Sequence, residues 1–212
     1  MSIHYNNLNA VSRPLGAPDD VYVDCDGVVV DYLPGIAEFS HKLTGVRPDP
    51  KGPSDFQFTD WLGVTSDEEM MNIVRRFNEG EGGHFARLPA MTGVVDVLRA
   101  IHASGRGIHV LSSCSRHPKV VEMRCENLVT LCGDIFSSII CIDMHEDKSD
   151  YLSRFAPGIW VEDKFENAIK GAQQGHRSFL IRSPHNRKFE KKDARYPFTW
   201  VDGWQDLREH IL

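Results

Sequence analysis

The chain lacks the long hydrophobic runs of a membrane protein. None of its 212 residues lies in an apolar stretch that approaches the roughly 20 residues needed to span a bilayer. The first segment, from Met1 to Asp20, is polar and rich in asparagine, which is unlike a signal peptide. We therefore expect a cytoplasmic protein with no membrane partner.

Cysteine and histidine are both present, but their spacings do not match those of transition-metal sites. The five cysteines include no CxxC pair, and the ten histidines form neither an HxH nor an HExxH motif. Val121 is followed at intervals of four, three and four residues by Cys125, Leu128 and Cys132. This spacing predicts that the four residues share one buried face of a helix. We expect reduced thiols with a packing role and no metal site built from histidine.

An excess of positive charge is also missing. The formal net charge is −6, so the surface as a whole does not attract nucleic acid polymers, and an anionic ligand must be bound locally. Hydrophobic residues make up 41% of the chain and charged residues 25%, which argues against disorder. A chain of 212 residues suits one domain with a large core, or a core with a small insertion.

What the sequence does contain is an alternation of strand and helix patterns. Apolar runs of β type lie at 21–25, 107–112, 138–142, 158–162 and 177–182, and helical patterns lie at 118–132 and 165–174. This alternation predicts an α/β fold whose parallel strands are joined by right-handed crossovers. Thr92 is predicted to cap a further helix, on which Val94, Leu98 and Ile101 share one face.

Two more helices are predicted between the first and second strands. The first covers residues 33–43, and Gly45 suits its C-cap. The second opens at the capping box 66–69 (Ser-Asp-Glu-Glu) and runs to about Phe77. The stretch 46–64 between them contains several prolines and is predicted to be a loop.

These two helices and their loop interrupt the alternation and form an insertion after the first strand. Ligands of open α/β sheets bind beyond the carboxyl ends of the strands, so an insertion that leaves from there must lie over the site. We predict a core domain of residues 1–31 and 90–212 and a small helical cap of residues 32–89.

Two carboxylates follow the first apolar run directly. Asp24 and Asp26 lie two residues apart, and side chains at that spacing face the same way at a strand end. Such a pair suits phosphoryl transfer, with Asp24 as the nucleophile and Asp26 as the acid and then the base. Taken alone, the two residues are equally well explained as stabilisers of a turn.

A hydroxyl, an ammonium group and a second acidic pair follow in order. Ser112 ends the second apolar run, and its hydroxyl, with the N–H of Ser113, can hold phosphate oxygens. Lys148 can stabilise the charge of a phosphoryl group in the transition state. Glu162 and Asp163 follow the run at 158–162. Each residue is commonplace by itself, so the prediction depends on the ordered set.

We expect Mg²⁺ as the cofactor of this set. The predicted ligands are the carboxylates of Asp24 and Asp163 and the backbone carbonyl of Asp26, with Glu162 acting either on the ligands from outside or through a water. Asn167, one helical turn beyond Asp163, is explained either by orienting a loop or ligand or by a place at a helix N-terminus.

In this order the residues resemble the motifs of the haloacid dehalogenase-like (HAD-like) phosphohydrolases. The motifs are Asp24-Cys25-Asp26-Gly27-Val28, then Ser112, then Lys148, then Glu162-Asp163 with Asn167. The resemblance covers the chain from about Val21 to Ile181 and implies a Rossmann-like, three-layer α/β/α core, Mg²⁺ dependence and an aspartyl-phosphate intermediate. Dehalogenases of this superfamily lack the second aspartate, so Asp26 indicates phosphate chemistry.

A narrower resemblance is to the 5′(3′)-deoxyribonucleotidase branch. The segments that look like this branch are Asp26-Gly-Val-Val-Val-Asp31-Tyr32, His185-Asn186 and Trp200-Val-Asp-Gly-Trp204. The branch implies that Tyr32 and aromatic residues of the cap stack on a base, with Phe56, Phe58 and Trp61 as candidates. It also implies a homodimer. The alternative for these aromatic side chains is that they pack the cap.

Three positions differ from that branch. Glu162 stands where the branch has aspartate, and Ser112 stands where it has threonine. Glu146, two residues before Lys148, stands where the branch often has a basic residue that contacts substrate.

The leading hypothesis is a Mg²⁺-dependent phosphatase that hydrolyses nucleoside (deoxy)monophosphates, a 5′-nucleotidase. The alternative is a HAD phosphatase for a sugar phosphate or another small phosphorylated metabolite, since specificity lies in the cap. A phospho-accepting receiver module also combines acidic residues, a hydroxyl and a lysine, but it has no need of Glu162-Asp163. A binding protein without catalysis is the third alternative.

Overall fold

The computed structural model describes residues 15–191 and 195–212. Most of the polar N-terminal segment that is predicted not to be a signal peptide therefore lies outside the described residues. Within them, no helix combines the length and the apolar character needed to cross a membrane.

A sheet of six parallel strands forms the centre of the molecule. In chain order the strands are β1 (Val21–Val23), β2 (Ile108–Ser113), β3 (Ser138–Ile142), β4 (Ile159–Glu162), β5 (Arg177–Ile181) and β6 (Thr199–Val201). Their order in the sheet is β3-β2-β1-β4-β5-β6, and each neighbouring pair is parallel. The predicted α/β fold with a parallel sheet is confirmed.

Seven α-helices accompany the sheet in the described part of the chain. They are α1 (Tyr32–Thr44), α2 (Asp67–Asn78), α3 (Val94–Ala103), α4 (Pro118–Cys132), α5 (Ser149–Leu152), α6 (Phe165–Gln173) and α7 (Trp204–Ile211). Three-residue 3₁₀ helices lie at Glu81–Gly83, Phe85–Arg87 and Arg187–Phe189. The sequence patterns do not predict α5, β6 or α7.

Apolar side chains fill both faces of the sheet. Val21 and Val23 belong to a large core that includes residues of α3, α4 and α7, whereas Tyr22 belongs to a second core with Tyr151 and Leu152 of α5. This division follows from strand geometry, because successive side chains point to opposite faces. The sheet is therefore a central layer between helices, as the three-layer prediction requires.

The predicted ends of α1 and α2 are largely confirmed. Gly45 follows α1 in the left-handed conformation, with φ of 74°, as a C-cap glycine does. At α2, the Oγ of Ser66 accepts a hydrogen bond from the N–H of Glu69 at 3.2 Å. The Glu69 side chain also accepts a hydrogen bond from the N–H of Thr65 at 3.0 Å.

The prediction that Thr92 caps α3 is wrong. The N-cap is Gly93, which has a φ of 80° and no capping side chain. A backbone turn, in which the N–H of Val94 donates to the carbonyl of Met91, leads into the helix. Thr92 is exposed within this turn, and only glycine adopts the left-handed conformation of position 93 without strain.

Residues 32–89 contain α1, α2 and two of the 3₁₀ helices, joined by an irregular loop at 46–64. Their apolar side chains are continuous with the large core, through residues such as Ile36, Phe77 and Leu88. The division of the chain into a core and a cap stays a prediction.

Candidate active site

The turn after β1 places two aspartates at the carboxyl edge of the sheet. β1 ends at Val23, and the chain then closes a tight turn in which the N–H groups of Val29 and Val30 both donate to the carbonyl of Cys25. Gly27 lies in this turn with a φ of 80°. A Cβ atom on Gly27 would lie only 2.1 Å from Oδ2 of Asp163, so glycine is required for the close approach of that carboxylate.

Asp24, Glu162 and Asp163 form a buried acidic cluster. One carboxylate oxygen from each residue lies within 4.8 Å of the others. The sheet explains this meeting, because β1 and β4 are neighbours and Val23 is paired with Val161, one residue before each acidic segment. The predicted metal residues Asp24 and Asp163 are therefore together.

Lys148 is the cation of this cluster. Its Nζ lies 2.6 Å from Oδ1 of Asp24 and 3.1 Å from Oε2 of Glu162. Burial by itself lowers the pKa of Lys148, but the negative charges of Asp24 and Glu162 outweigh this effect and raise the pKa above its usual range. The lysine is held as a cation beside the predicted nucleophile.

Negative charge nevertheless remains in excess. Burial and the nearby charge of Asp24 raise the pKa of Asp163 to about 8, and the same two causes raise the pKa of Glu162. Three buried carboxylates face one ammonium group, which is the charge balance that a divalent cation would neutralise.

The residues present therefore fit Mg²⁺, with Asp24 and Asp163 as carboxylate ligands. Glu162 is bound by other groups, since Oε2 contacts Lys148 and Oε1 accepts from the N–H of Lys164 at 3.1 Å. These contacts agree with a role for Glu162 outside direct metal coordination.

Two residues that follow β5 bind the backbone of Asp163. His185 Nε2 and Asn186 Nδ2 donate to the backbone carbonyl of Asp163 at 3.0 and 2.7 Å. Asn186 Nδ2 also donates to the carbonyl of Ile181 at 2.8 Å. The pair His185-Asn186, which the sequence singled out only by resemblance, thus fixes the loop that carries the acidic pair.

Asp26 has a partner that the sequence does not indicate. Arg124, from α4, donates through Nη2 to both carboxylate oxygens of Asp26, at 2.6 and 2.8 Å. Burial raises the pKa of Asp26, and the charge of Arg124 opposes this shift without cancelling it.

Ser112 and Ser113 differ in their environments. β2 extends to Ser113, so Ser112 lies within the strand and is fully buried. The hydroxyl of Ser112 has no hydrogen-bond partner among the described residues, and Ser113 is the one of the two that lines the cavity described next. The phosphate-binding role of Ser112 stays a prediction.

A cavity of about 1690 Å³ opens over this edge of the sheet. The cluster residues and Asp26 line its floor, and residues of the 32–89 segment line the opposite side. Drug-sized ligands usually occupy pockets of about 300–1000 Å³, so the space holds considerably more than a phosphoryl group. Asn167, on α6, also lines the cavity.

The predicted base-stacking residues line this cavity as well. Tyr32 does so with little of its ring exposed, because its OH donates to Oδ1 of Asn78 at 3.0 Å and its edge packs on Phe77.

Trp61 is half-buried, and its Nε1 donates to the carbonyl of Asp49 at 2.8 Å. Phe56 is 44% exposed and has the Nζ of Lys164 at 4.0 Å from its ring centre. Base stacking by these residues stays a prediction.

Glu146, the position that differs from the nucleotidase branch, has an arginine of its own. Nε and Nη2 of Arg116 donate to the two carboxylate oxygens of Glu146, each at 2.6 Å. These hydrogen bonds from Arg116 lower the pKa of Glu146 to about 2. Glu146 lies at the cavity as one member of an ion pair.

The fold and the site together place the protein in a structural class. Proteins of this class have a parallel α/β sheet with a buried cluster of carboxylates and a lysine at the carboxyl ends of its strands. No protein-family model matches the chain, and no curated protein sequence is similar to it. Solved structures do match over almost their whole length. A predicted phosphatase from Clostridium acetobutylicum has a TM-score of 0.63 and 14% identity, covering 92% of this chain and 98% of that one.

Two other matches indicate the kind of fold. CbbY from Rhodobacter sphaeroides, in complex with phosphate, has a TM-score of 0.57 and 17% identity, covering 90% of this chain and 96% of that one. The L-2-haloacid dehalogenase RSc1362 has a TM-score of 0.56 and 15% identity, with 92% and 99% covered. The chain therefore has the HAD-like fold that the sequence motifs imply. Because one such fold carries different chemistries, function must be argued from the site.

Proposed function

We propose that this protein is a Mg²⁺-dependent phosphomonoesterase that acts on a small phosphorylated metabolite through an aspartyl phosphate. The observation that carries the proposal is the buried carboxylate of Asp24, 2.6 Å from Nζ of Lys148 and next to Asp163 at the floor of the cavity. A carboxylate nucleophile with a fixed cation beside it suits attack on a phosphoryl group whose negative charge must be offset.

The first step forms a covalent intermediate. An Asp24 oxygen bonds to phosphorus, the bond between phosphorus and the ester oxygen breaks, and the proton of Asp26 passes to the departing oxygen. Lys148 stabilises the negative charge that develops on the phosphoryl oxygens.

The second step returns the protein to its starting state. Asp26, now a carboxylate, accepts a proton from a water molecule as the water oxygen bonds to phosphorus, and the acyl-phosphate bond to Asp24 breaks. Phosphate leaves, and both aspartates are restored. Mg²⁺, held by Asp24 and Asp163, would neutralise phosphoryl charge in both steps.

A sugar phosphate or a similar metabolite is the leading substrate class. Support comes from the likeness in fold to CbbY, one structure of which contains xylulose-(1,5)bisphosphate. Charged side chains of both signs from residues 32–89, among them Glu38 and Arg47, line the cavity and offer partners for hydroxyl groups.

Nucleoside monophosphates are the second candidate, favoured by a separate observation. Phe56, Phe58 and Trp61 line one side of the cavity, and Phe56 is exposed enough to receive a flat ring. Stacking on an aromatic side chain contributes about 1–3 kcal/mol per base and tolerates different bases.

The test is phosphate release with Mg²⁺ from a panel of sugar phosphates and of 5′- and 3′-nucleotides. We expect release from at least one sugar phosphate, and loss of about 10³-fold or more in the Asp24→Asn variant because the nucleophile is removed. Asp96→Asn, an exposed position on α3 away from the cavity, is the matched control and should keep full activity.

Each other outcome selects a different function. Preference for nucleotides over every sugar phosphate supports the second candidate. A stable aspartyl phosphate without turnover supports a phospho-accepting module. Absence of both release and phosphorylation contradicts the proposal and leaves a binding protein.

A further inference from the structure

Arg124 is a buried cation directly behind Asp26. Its side chain is completely shielded from solvent, and Nη2 contacts both oxygens of the Asp26 carboxylate, at 2.6 and 2.8 Å. Asp26 itself lines the cavity, with 23% of its side chain exposed. The ion pair therefore connects the substrate side of the site to the interior of the molecule.

An aromatic ring packs against the guanidinium group of Arg124. Its guanidinium carbon lies 4.2 Å from the ring centre of Phe85, in the arrangement of a cation–π contact. Nε and Nη1 have no hydrogen-bond partner within the described residues. Among these residues, Asp26 is the only carboxylate within ion-pair distance of Arg124.

This arrangement restricts the movement of Asp26. If the Asp26 side chain rotated away, the charge of Arg124 would be left buried without a partner, which is strongly unfavourable. Nη2 also contacts both oxygens of the carboxyl group, at 2.6 and 2.8 Å, so either oxygen that turned away would lose a hydrogen bond. Asp26 is thus held in one orientation at the cavity floor.

We propose that Arg124 is a positioning residue that holds the carboxyl group of Asp26 in place for proton transfer to the departing oxygen. The inference rests on the proposed function, in which the proton of Asp26 passes to the ester oxygen as the bond from phosphorus to that oxygen breaks. Before the transfer Nη2 can donate to the Asp26 oxygen that carries no proton, and after it to both oxygens of the carboxylate, so the acid needs no large movement between the two steps.

Two esters with different leaving groups separate positioning from a general structural role. An alkyl phosphate releases an alkoxide that needs a proton, whereas p-nitrophenyl phosphate releases a stable phenolate that does not. The value of kcat/KM reports the step in which the leaving group departs. General acid catalysis contributes about 10²–10⁴-fold, so a misplaced Asp26 should lower kcat/KM mainly for the alkyl ester.

The experiment compares Arg124→Met, Arg124→Lys and a control, each with Mg²⁺ and both esters. We expect Arg124→Met to lower kcat/KM by at least about tenfold for the alkyl phosphate and far less for p-nitrophenyl phosphate. Arg124→Lys keeps the positive charge and should recover part of the lost rate. Arg99→Met removes an exposed arginine from α3 and should change neither value.

The results that overturn the inference are equally specific. An equal loss for both esters means that Arg124 only stabilises the fold, and no loss for either means that Asp26 does not need it. If the wild-type protein hydrolyses neither ester nor any compound of the panel, the proposed function fails first. If it hydrolyses both and the variants do not discriminate between them, only the role of Arg124 fails.

Thermal unfolding covers the case in which Arg124→Met does not fold well enough for kinetics. The unfolding midpoints of Asp26→Ala, Arg124→Met and the double variant then show whether the two residues are coupled. We expect the double variant to lose less than the sum of the single losses, because an ion pair is broken only once. Additive losses overturn the inference.

Discussion

At the scale of single residues, the acidic site depends on Gly27, which has no side chain. Gly27 lies in the turn after β1, and its φ of 80° is a conformation that other residues adopt only at a cost. Its lack of a Cβ atom also leaves the space into which Oδ2 of Asp163 fits. Both requirements favour glycine, one through backbone conformation and the other through contact.

We predict that Gly27→Ala disrupts the site and not merely the turn. The left-handed conformation costs an alanine about 1–2 kcal/mol, and the clash with Asp163 adds to that loss. The free energy of unfolding should fall by more than this amount, and the proposed phosphatase activity should be lost. Chemical denaturation and phosphate release measure the two effects.

Gly83→Ala is the matched control for this prediction. Gly83 has a φ of 72°, but a Cβ atom there would meet nothing within 4 Å. The Gly83→Ala variant should lose only the free energy of unfolding that the left-handed conformation costs an alanine, and it should keep its activity. Equal effects at the two positions would contradict the role assigned to the contact between Gly27 and Asp163.

At the scale of secondary-structure elements, α6 packs unusually close to the sheet. A Cβ atom on Gly171 would lie 2.2 Å from Cδ1 of Trp160, a fully buried residue of β4. The same tryptophan ring has the Nζ of Lys148 at 5.5 Å from its centre. The position of α6 is therefore linked, through Trp160, to the cation of the site.

We predict that Gly171→Ala destabilises the protein although it improves helix propensity. Alanine gains about 1 kcal/mol over glycine in a helix interior, but overpacking of a buried contact costs about 1–3 kcal/mol. The thermal midpoint should fall. Gln173→Ala, at an exposed position of the same helix, should leave it nearly unchanged. A rise in the midpoint for Gly171→Ala would show that α6 moves to admit the methyl group.

The elements themselves were predictable to different degrees. The helix α4 and the strand β3 agree with their predicted ranges to the residue. The sequence patterns do not predict β6 or α7, because β6 offers too few residues to show alternation and α7 is scarcely two turns long. The start of α3 was mistaken because a left-handed glycine, and not the adjacent threonine, begins it.

At the scale of the whole molecule, the proposed Mg²⁺ site would couple metal binding to pH. The pKa of Asp163 is about 8 in the folded protein against 3.8 in its unperturbed state. Without metal, the stability that comes from this raised pKa is fully present below pH 3.8 and is lost as the pH rises through about 8. Mg²⁺ should restore stability at high pH, where it meets an ionised carboxylate.

We therefore predict that Mg²⁺ raises the thermal midpoint more at pH 8.5 than at pH 6. At the lower pH the cation must displace the proton of Asp163, which reduces its apparent affinity. A concentration of 100 times Kd should contribute about 2.7 kcal/mol. Asp163→Asn should lose the effect and Asp96→Asn should keep it. A shift that is independent of pH in the wild type would contradict the assignment.

A buried histidine at the opposite end of the sheet gives a second pH dependence, of opposite sign. His109 contacts Ser138 Oγ at 2.8 Å and Asp20 Oδ2 at 3.2 Å, and burial lowers its pKa below the ordinary 6.5. As the pH falls below 6.5, the unfolded chain binds a proton that the folded protein does not, so stability falls.

The test compares the free energy of unfolding between pH 7 and pH 5 in three proteins. His109→Gln should show a shallower decline than the wild type, by at most about 1.4 kcal/mol per pH unit. His102→Gln, an exposed position on α3, should follow the wild type. Equal slopes in all three would show that His109 does not contribute.

The sequence by itself determined the type of fold and the order of the chemical groups along it. Both follow from local patterns, since strand and helix periods are read from neighbouring residues and the acidic segments follow apolar runs directly. Parallel strands bring their carboxyl ends to one edge, which is why Asp24, Lys148 and Asp163 could be expected to meet before any coordinate was known.

Only the tertiary structure decided which side chains complete that site. Asp26 and Arg124 are 98 residues apart in the chain, and no local period marks an arginine on α4 as the partner of an aspartate after β1. His185 and Asn186, which hold Asp163, are 22 and 23 residues from it in the chain. Such contacts depend on how the elements pack in space. A buried charge is stable only with a partner, and the packing decides which residue lies close enough to be that partner.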